Sequence, residues 1–90
     1  MNEAYKAITK NIIEILPDIQ KAEINQEYSL RDLGANSIDR MEIIVMTMED
    51  LEVQIPLMEF ANAQNIGEIT RIMVREKELK KHGMIKDNDS

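Results

Sequence analysis

The apolar positions of this 90-residue chain recur at intervals of three and four, the spacing of helices with one buried face. Tyr5, Ile8, Ile12, Ile15 and Leu16 form the first series, with Asn2 placed to cap it. Pro17 ends it, because the residue before a proline is pushed out of the helical region. About twenty irregular residues follow, more than most connections in a compact domain contain. Ile24, Tyr28, Leu30 and Leu33 are spaced to pin them across a bundle. A second helix is predicted from Ser37 to Leu51, with Ile44, Thr47, Met48 and Leu51 inward. After Pro56, residues 57–63 suffice for one or two helical turns. Asn65 and Glu68 have the form of a capping box, and Ile66, Ile69, Ile72 and Met73 give the last helix its apolar face. Lys80, Lys81 and His82 lie near its end, where positive charge suits the macrodipole, and Gly83 is placed to stop it. The expected fold is all-α: a four-helix bundle of three longer helices and one short one, with a long loop between helices one and two. One domain is expected over residues 1–83, with a disordered tail over 84–90, since a chain this short holds a single core.

Composition narrows the core and the partners. Tyr5, Tyr28 and Phe60 are the only aromatics, so the interior has to be built from Ile, Leu and Met. Seventeen acids against eleven bases leave a formal charge of −6, which argues against nucleic acid and anionic membrane surfaces and for a basic protein surface as partner. The longest strongly apolar run, residues 43–46, is far too short to span a bilayer, and a cytoplasmic monomer is expected. Without cysteine there is neither a disulfide nor a thiolate nucleophile. His82 is the only histidine and has no evident nucleophile beside it, so no enzyme and no catalytic residue is expected. The acids lack the alternating spacing and central glycine of a calcium loop, and no metal site is expected.

The informative stretch is Leu33-Gly34-Ala35-Asn36-Ser37-Ile38-Asp39-Arg40-Met41-Glu42, which reads as loop, glycine turn, capping residue, serine, helix. A helix start exposes unpaired amides and a partial positive charge, so a serine there sets its hydroxyl where an anion is welcome. A phosphodiester on that oxygen would be stabilised. The plainer reading of Asn-Ser before a helix is a cap, contributing about 1 kcal/mol.

These residues resemble a known family. Carrier proteins of fatty-acid, polyketide and non-ribosomal peptide synthesis open their second helix with Leu-Gly-x-Asp-Ser-Leu, and residues 33–38 are similar to that motif with two substitutions. The likeness extends back to Tyr28-Ser29-Leu30 and forward through Glu42, Ile55-Pro56 and Asn65-Ile66-Gly67, over about residues 4–80. The resemblance implies 4'-phosphopantetheine bound covalently to Ser37 by a phosphopantetheinyl transferase, the arm's thiol replacing the cysteine the chain lacks. It also implies a partner interface of Asn36, Ile38, Asp39, Met41, Glu42, Val45 and Glu49. Asn36 departs from the family's Asp; it caps as well, but the Asp also helps engage the transferase and its magnesium, which puts transferase efficiency in question.

Glu49, Asp50 and Glu52 sit where the helix macrodipole opposes them, at about 0.3–1 kcal/mol each if exposed. They serve either as a solvated face or as a match for basic patches on successive enzymes. Arg40 is the only base on this helix, with an intrahelical pair as its expected role. Residues 36–44 and 55–61 are more similar to discrete carriers of bacterial polyketide pathways, particularly those serving β-branching, than to housekeeping fatty-acid carriers. That likeness implies a malonyl cargo decarboxylated to acetyl, and as partners an acyltransferase, a ketosynthase-like decarboxylase and an HMG-synthase-like enzyme. The alternatives are a fatty-acid carrier, then peptidyl or D-alanyl carriers, and, in a different class, an unmodified helical interaction domain in which Ser37 is only a cap.

Overall fold

Ala4, Ile8 and Ile12, at intervals of four, are buried along one side of the first helix, α1 (Asn2–Ile15), in a computed structural model that describes residues 2–81. Tyr5, Ile15 and Leu16 pack against the same core. Asn2 is the first helical residue instead of standing outside as the cap. The helix stops at Ile15, two residues short of Pro17, as the proline's effect on its predecessor requires.

Residues 16–36 carry a single 3-10 turn, Lys21–Glu23, and otherwise run without regular structure. Ile24 and Leu30 are buried and Leu33 is half-buried, which ties this long loop to the core as expected. Tyr28 departs from expectation and is 45% exposed. It holds the loop through its carbonyl, which accepts from the Ile66 amide at 2.9 Å, while the Gln26 carbonyl accepts from the Gly67 amide at 2.8 Å. Both donors belong to the first turn of the last helix, α3 (Ile66–Lys81), where amides have no intrahelical acceptor. The loop therefore caps α3.

Gly67 permits that approach. A β-carbon there would lie 3.2 Å from Gln26 Oε1 and 3.3 Å from both the Gln26 Cβ and its carbonyl oxygen. Gly67→Ala is expected to destabilise the fold by about 1 kcal/mol, crowding against the loop outweighing the better helix propensity of alanine. The melting temperature should fall by about 4–8 °C. A thermal melt followed by circular dichroism checks this, and an increase would show that the loop yields freely.

The second helix, α2 (Ser37–Leu51), has the expected bounds and buries Ile43, Ile44, Thr47 and Leu51 against α1 and α3, with Met48 packed at the core's edge and Met46 half-buried outside it. Its end is held from outside. Glu52 adopts the left-handed conformation (φ 60°, ψ 42°) of a helix C-terminus, which is strained for a residue with a β-carbon. Lys77 Nζ donates to the Leu51 carbonyl at 2.6 Å and Lys80 Nζ to the Glu52 carbonyl. Lys80, expected to suit the end of α3, thus satisfies the end of α2 together with Lys77.

Between α2 and α3 the expected short helix is one 3-10 turn, Leu57–Phe60, which buries Phe60. At the start of α3 the capping box is displaced: Asn65 Oδ1 accepts from the Glu68 amide at 2.8 Å, but Glu68 Oε1 accepts from the Gln64 amide at 2.7 Å, not from Asn65. Among the described residues there is no strand, and no helix is long and apolar enough to cross a membrane. His82, the stop at Gly83 and the tail from residue 84 lie outside the described residues.

One polar cluster is built into the seam between α1 and α2. Asn11, 1% exposed, donates from Nδ2 to Thr47 Oγ1 at 2.9 Å and to Asp50 Oδ2 at 3.1 Å. Thr47 Oγ1 in turn donates to the Ile43 carbonyl at 2.7 Å, and Lys10 pairs with Asp50 at 3.0 Å.

Candidate functional site

The turn that delivers Ser37 is fixed by its own hydrogen bonds. Ser29 and Asp32 bond reciprocally, each amide donating to the other's side chain at 2.9 Å. The Gly34 amide donates to the Arg31 carbonyl and the Ala35 amide to the Leu30 carbonyl, the paired bonds of a Schellman ending. That ending needs a left-handed residue, and Gly34 provides it at φ 98°. Ala35 is buried and Asn36 extended, so the chain enters α2 from a fixed point.

Asn36 is the cap. Its Oδ1 accepts from the Asp39 amide at 2.8 Å, and Asp39 Oδ2 accepts from the Asn36 amide at 3.3 Å. Ser37 is the first residue inside the helix and is exposed, so its hydroxyl is not engaged in capping. The amides of Ser37 and Ile38, in the first turn, have no acceptor within the helix, and the positive end of the macrodipole lies here.

Arg40 completes the site, and its part in it was not foreseen. No intrahelical ion pair forms; Nη1 donates to the Ala35 carbonyl at 3.2 Å, and Nη2 lies 3.5 Å from Ser37 Oγ. The spacing of three between Ser37 and Arg40, which makes side chains neighbours on a helix, was the available signal.

The other expected interface residues fall on one side of α2. Ile38, Met41, Glu42, Val45 and Glu49 follow one another at helical spacing on the side opposite the buried Ile43, Thr47 and Leu51. Ile38 is 68% and Met41 47% exposed, Glu42 and Glu49 are exposed, and Val45 is half-buried. Asn36 and Asp39 stand at the head of this stripe with their side chains committed to the cap. Leu57 and Met58 are also exposed, on the 3-10 turn, with no periodic signal to reveal them. Asp50 does not join the acidic face: hydrogen bonds from Lys10 and then Asn11 hold its carboxyl below the ordinary value, against a small opposing effect of burial.

Ser37 is exposed at the head of α2. A groove of about 960 Å³ lies between the far half of α2 and α3, lined by Val45, Met48, Val53, Ile55, Glu76 and Lys80. At 1.5 Å per residue the two ends of α2 are about 21 Å apart. An open hydroxyl without a base cannot do nucleophilic catalysis. It can carry a group: it is accessible, rigidly based, and beside a cation and a helix start that both favour a phosphodiester. The residues present therefore fit a phosphopantetheine arm. Among the described residues no cluster of acids, histidines or cysteines could hold a metal.

Comparison with known proteins agrees with this geometry. Residues 6–73 match the family described as "Phosphopantetheine attachment site". The polyketide biosynthesis acyl-carrier protein AcpK of Bacillus subtilis (strain 168) is 39% identical over 69 residues, 77% of this chain and 84% of AcpK. A chain from the crystal structure of the curacin biosynthetic pathway HMG synthase in complex with its acetyl donor carrier protein superposes with a TM-score of 0.75 at 39% identity, covering 82% of this chain and 95% of that one. Helix bounds, an open serine at the start of α2 and a family match across more than two thirds of the length coincide: this chain belongs to the acyl carrier proteins of the phosphopantetheine-attachment family, which are carriers, not enzymes.

Proposed function

We propose that Ser37 is the attachment point and that the chain is the acetyl donor of a polyketide β-branching system. The observation that carries the attachment is the exposed hydroxyl at the first position of α2, free of the capping role that Asn36 fills. Two likenesses at 39% identity support the system: one to a polyketide carrier, the other to a structure of an HMG synthase with its acetyl donor. The arm, when attached, supplies a terminal thiol on which acyl groups are held as thioesters. The cargo is malonyl, which becomes acetyl by loss of carbon dioxide and gain of a proton. The partners are a phosphopantetheinyl transferase, an acyltransferase, a ketosynthase-like decarboxylase and an HMG-synthase-like enzyme, with the carrier domain spanning residues 1–83 in the cytoplasm.

What the chain's own residues contribute is presentation. Ile38, Met41 and Val45 form an apolar strip beside the attachment point, and Glu42 and Glu49 flank it with negative charge. Rim charges speed encounter more than they tighten binding, which suits a carrier that visits several enzymes and must leave each. Reversing both charges (Glu42→Lys with Glu49→Lys) is expected to lower kcat/KM with the HMG-synthase-like partner by about tenfold at low salt and to flatten its salt dependence. Kinetics unchanged across ionic strength would reject the acidic face as a docking feature.

The attachment itself is tested by intact mass after incubation with coenzyme A and a broad-specificity transferase, followed by peptide mapping. A gain of one phosphopantetheinyl group on the peptide containing Ser37 is expected. No gain with several transferases would leave Ser37 as the first residue of a helix and nothing more.

A further inference from the structure

We propose that Arg40 is a positioning residue for the attached arm: its guanidinium takes the phosphodiester on Ser37 Oγ as its counter-ion and so sets the direction in which the arm leaves α2. The inference rests on Ser37 being the attachment point. Arg40 lies one helical turn beyond Ser37, half-buried, with Nη1 anchored on the Ala35 carbonyl at 3.2 Å and Nη2 3.5 Å from Ser37 Oγ. A guanidinium is cationic at every pH a folded protein experiences, yet among the described residues no carboxylate lies within ion-pairing distance of this one. It is a fixed cation with spare donors and no counter-charge, held beside the one oxygen that would acquire a permanent negative charge.

The surroundings favour the same exchange. A hydroxyl contact at the limit of hydrogen-bond distance would be replaced by charge-assisted bonds to phosphate oxygens, for which the planar guanidinium is suited. The residue before the serine is the neutral Asn36, so no carboxylate adjoins the phosphodiester from that side. The nearby Asp39 carboxylate is turned back onto the Asn36 amide by the capping box. The amides of Ser37 and Ile38 and the helix dipole add to the attraction. In the loaded protein the root of the arm is held against the first turn of α2, on the Arg40 side of Ser37, instead of swinging freely.

The test uses loaded wild type, R40Q and R40K, each verified by intact mass and peptide mapping. The chain has no cysteine, so the arm's terminal thiol takes a spin label at a single place. In wild type the Arg40 side-chain NMR resonances are expected to shift between unloaded and loaded protein, and the phosphorus resonance to move on R40Q substitution. The label should tumble more freely on R40Q, with partial rescue by R40K, and high salt should bring wild type toward R40Q, since screening weakens an exposed ion pair. A merely structural role for Arg40 would alter melting but leave its own resonances unmoved on loading and the phosphorus resonance unmoved by R40Q. Arg40 resonances identical in unloaded and loaded protein, with the arm shown by mass to be on Ser37, would overturn the proposal and leave the attachment intact. So would an R40Q protein that slows a partner enzyme while arm spectra stay unchanged, because Arg40 would then be a contact for the partner. Absence of the arm from Ser37 would instead overturn the attachment, and this proposal with it.

Discussion

Ser37→Ala is expected to accept no phosphopantetheine and to support no acyl transfer, while its helical content matches wild type and its stability stays within about 0.5 kcal/mol. The separation is possible because the two duties at the start of α2 fall on different residues. Asn36 caps, and Ser37, one position inside, directs its hydroxyl outward with only the long contact to Arg40. Alanine is a good helix former, so the first turn loses nothing by the change. Asn36→Ala should show the converse: about 1 kcal/mol of stability lost with the cap, and an attachment oxygen still present. Circular dichroism, a thermal melt and intact mass on the two variants separate the roles. Loading that survives in Ser37→Ala would assign the arm to another hydroxyl, and a Ser37→Ala protein that melts several degrees lower would show that the serine has a share in the cap.

Much of this arrangement was legible in the sequence, and the parts that were not share a cause. The bounds of α2 were readable because two independent local signals agreed, the cap at Asn36 and the periodic Ile44, Thr47 and Leu51. The end of α1 was readable because Pro17 acts through the covalent chain alone. The errors lie where backbone groups or long side chains reach across the fold. Tyr28 was expected to pin the loop with its ring, and pins it with its carbonyl, a contact that depends on α3 arriving there. Lys80 is expected to suit the end of its own helix and instead serves α2, 28 residues away in sequence, beside Lys77, which reaches 26 residues back and carried no expectation. Residues 57–63 looked long enough for a turn or two, but so short a segment gains little from helix propagation, and it settles as a 3-10 turn that buries Phe60. Arg40 is the instructive case at the site. Its expected role is a pair within α2, and the Ser37 hydroxyl one turn back is such a partner, but its other bond goes to the Ala35 carbonyl before the helix, a position set by the Gly34 turn.

The same cross-fold logic gives the largest expected effect on stability. Asn11→Asp keeps the shape of a side chain 1% exposed but replaces the amide donor with a carboxylate aimed at Thr47 Oγ1 and the Asp50 carboxylate. Two like charges would face each other at the α1–α2 seam, one of them buried. A loss of about 3–5 kcal/mol at neutral pH is expected, the scale on which an uncompensated buried charge destabilises a fold. That is a large part of the 5–15 kcal/mol typical of a whole domain. The pH dependence carries a definite sign. Burial and the Asp50 charge raise the folded-state pKa of the introduced carboxyl above its unfolded value, so its penalty shrinks as pH falls and the group takes a proton. Once protonated it regains a donor for the cluster. In the wild type the slope is opposite: the Asp50 carboxyl is held below 3.8 in the folded protein, so its stabilising contribution is present above that value and is lost as pH falls through the lowered one. Asn11→Ala, which removes the donor without adding a charge, should cost about 1–3 kcal/mol with no such recovery. Urea unfolding of the three proteins at pH 7 and pH 5 separates the cases. The Asn11→Asp midpoint should rise toward wild type at the lower pH while that of Asn11→Ala keeps its distance. An Asn11→Asp protein as stable as wild type at pH 7 would mean that water reaches the seam and that Asn11 is not the closed centre of the α1–α2 contact.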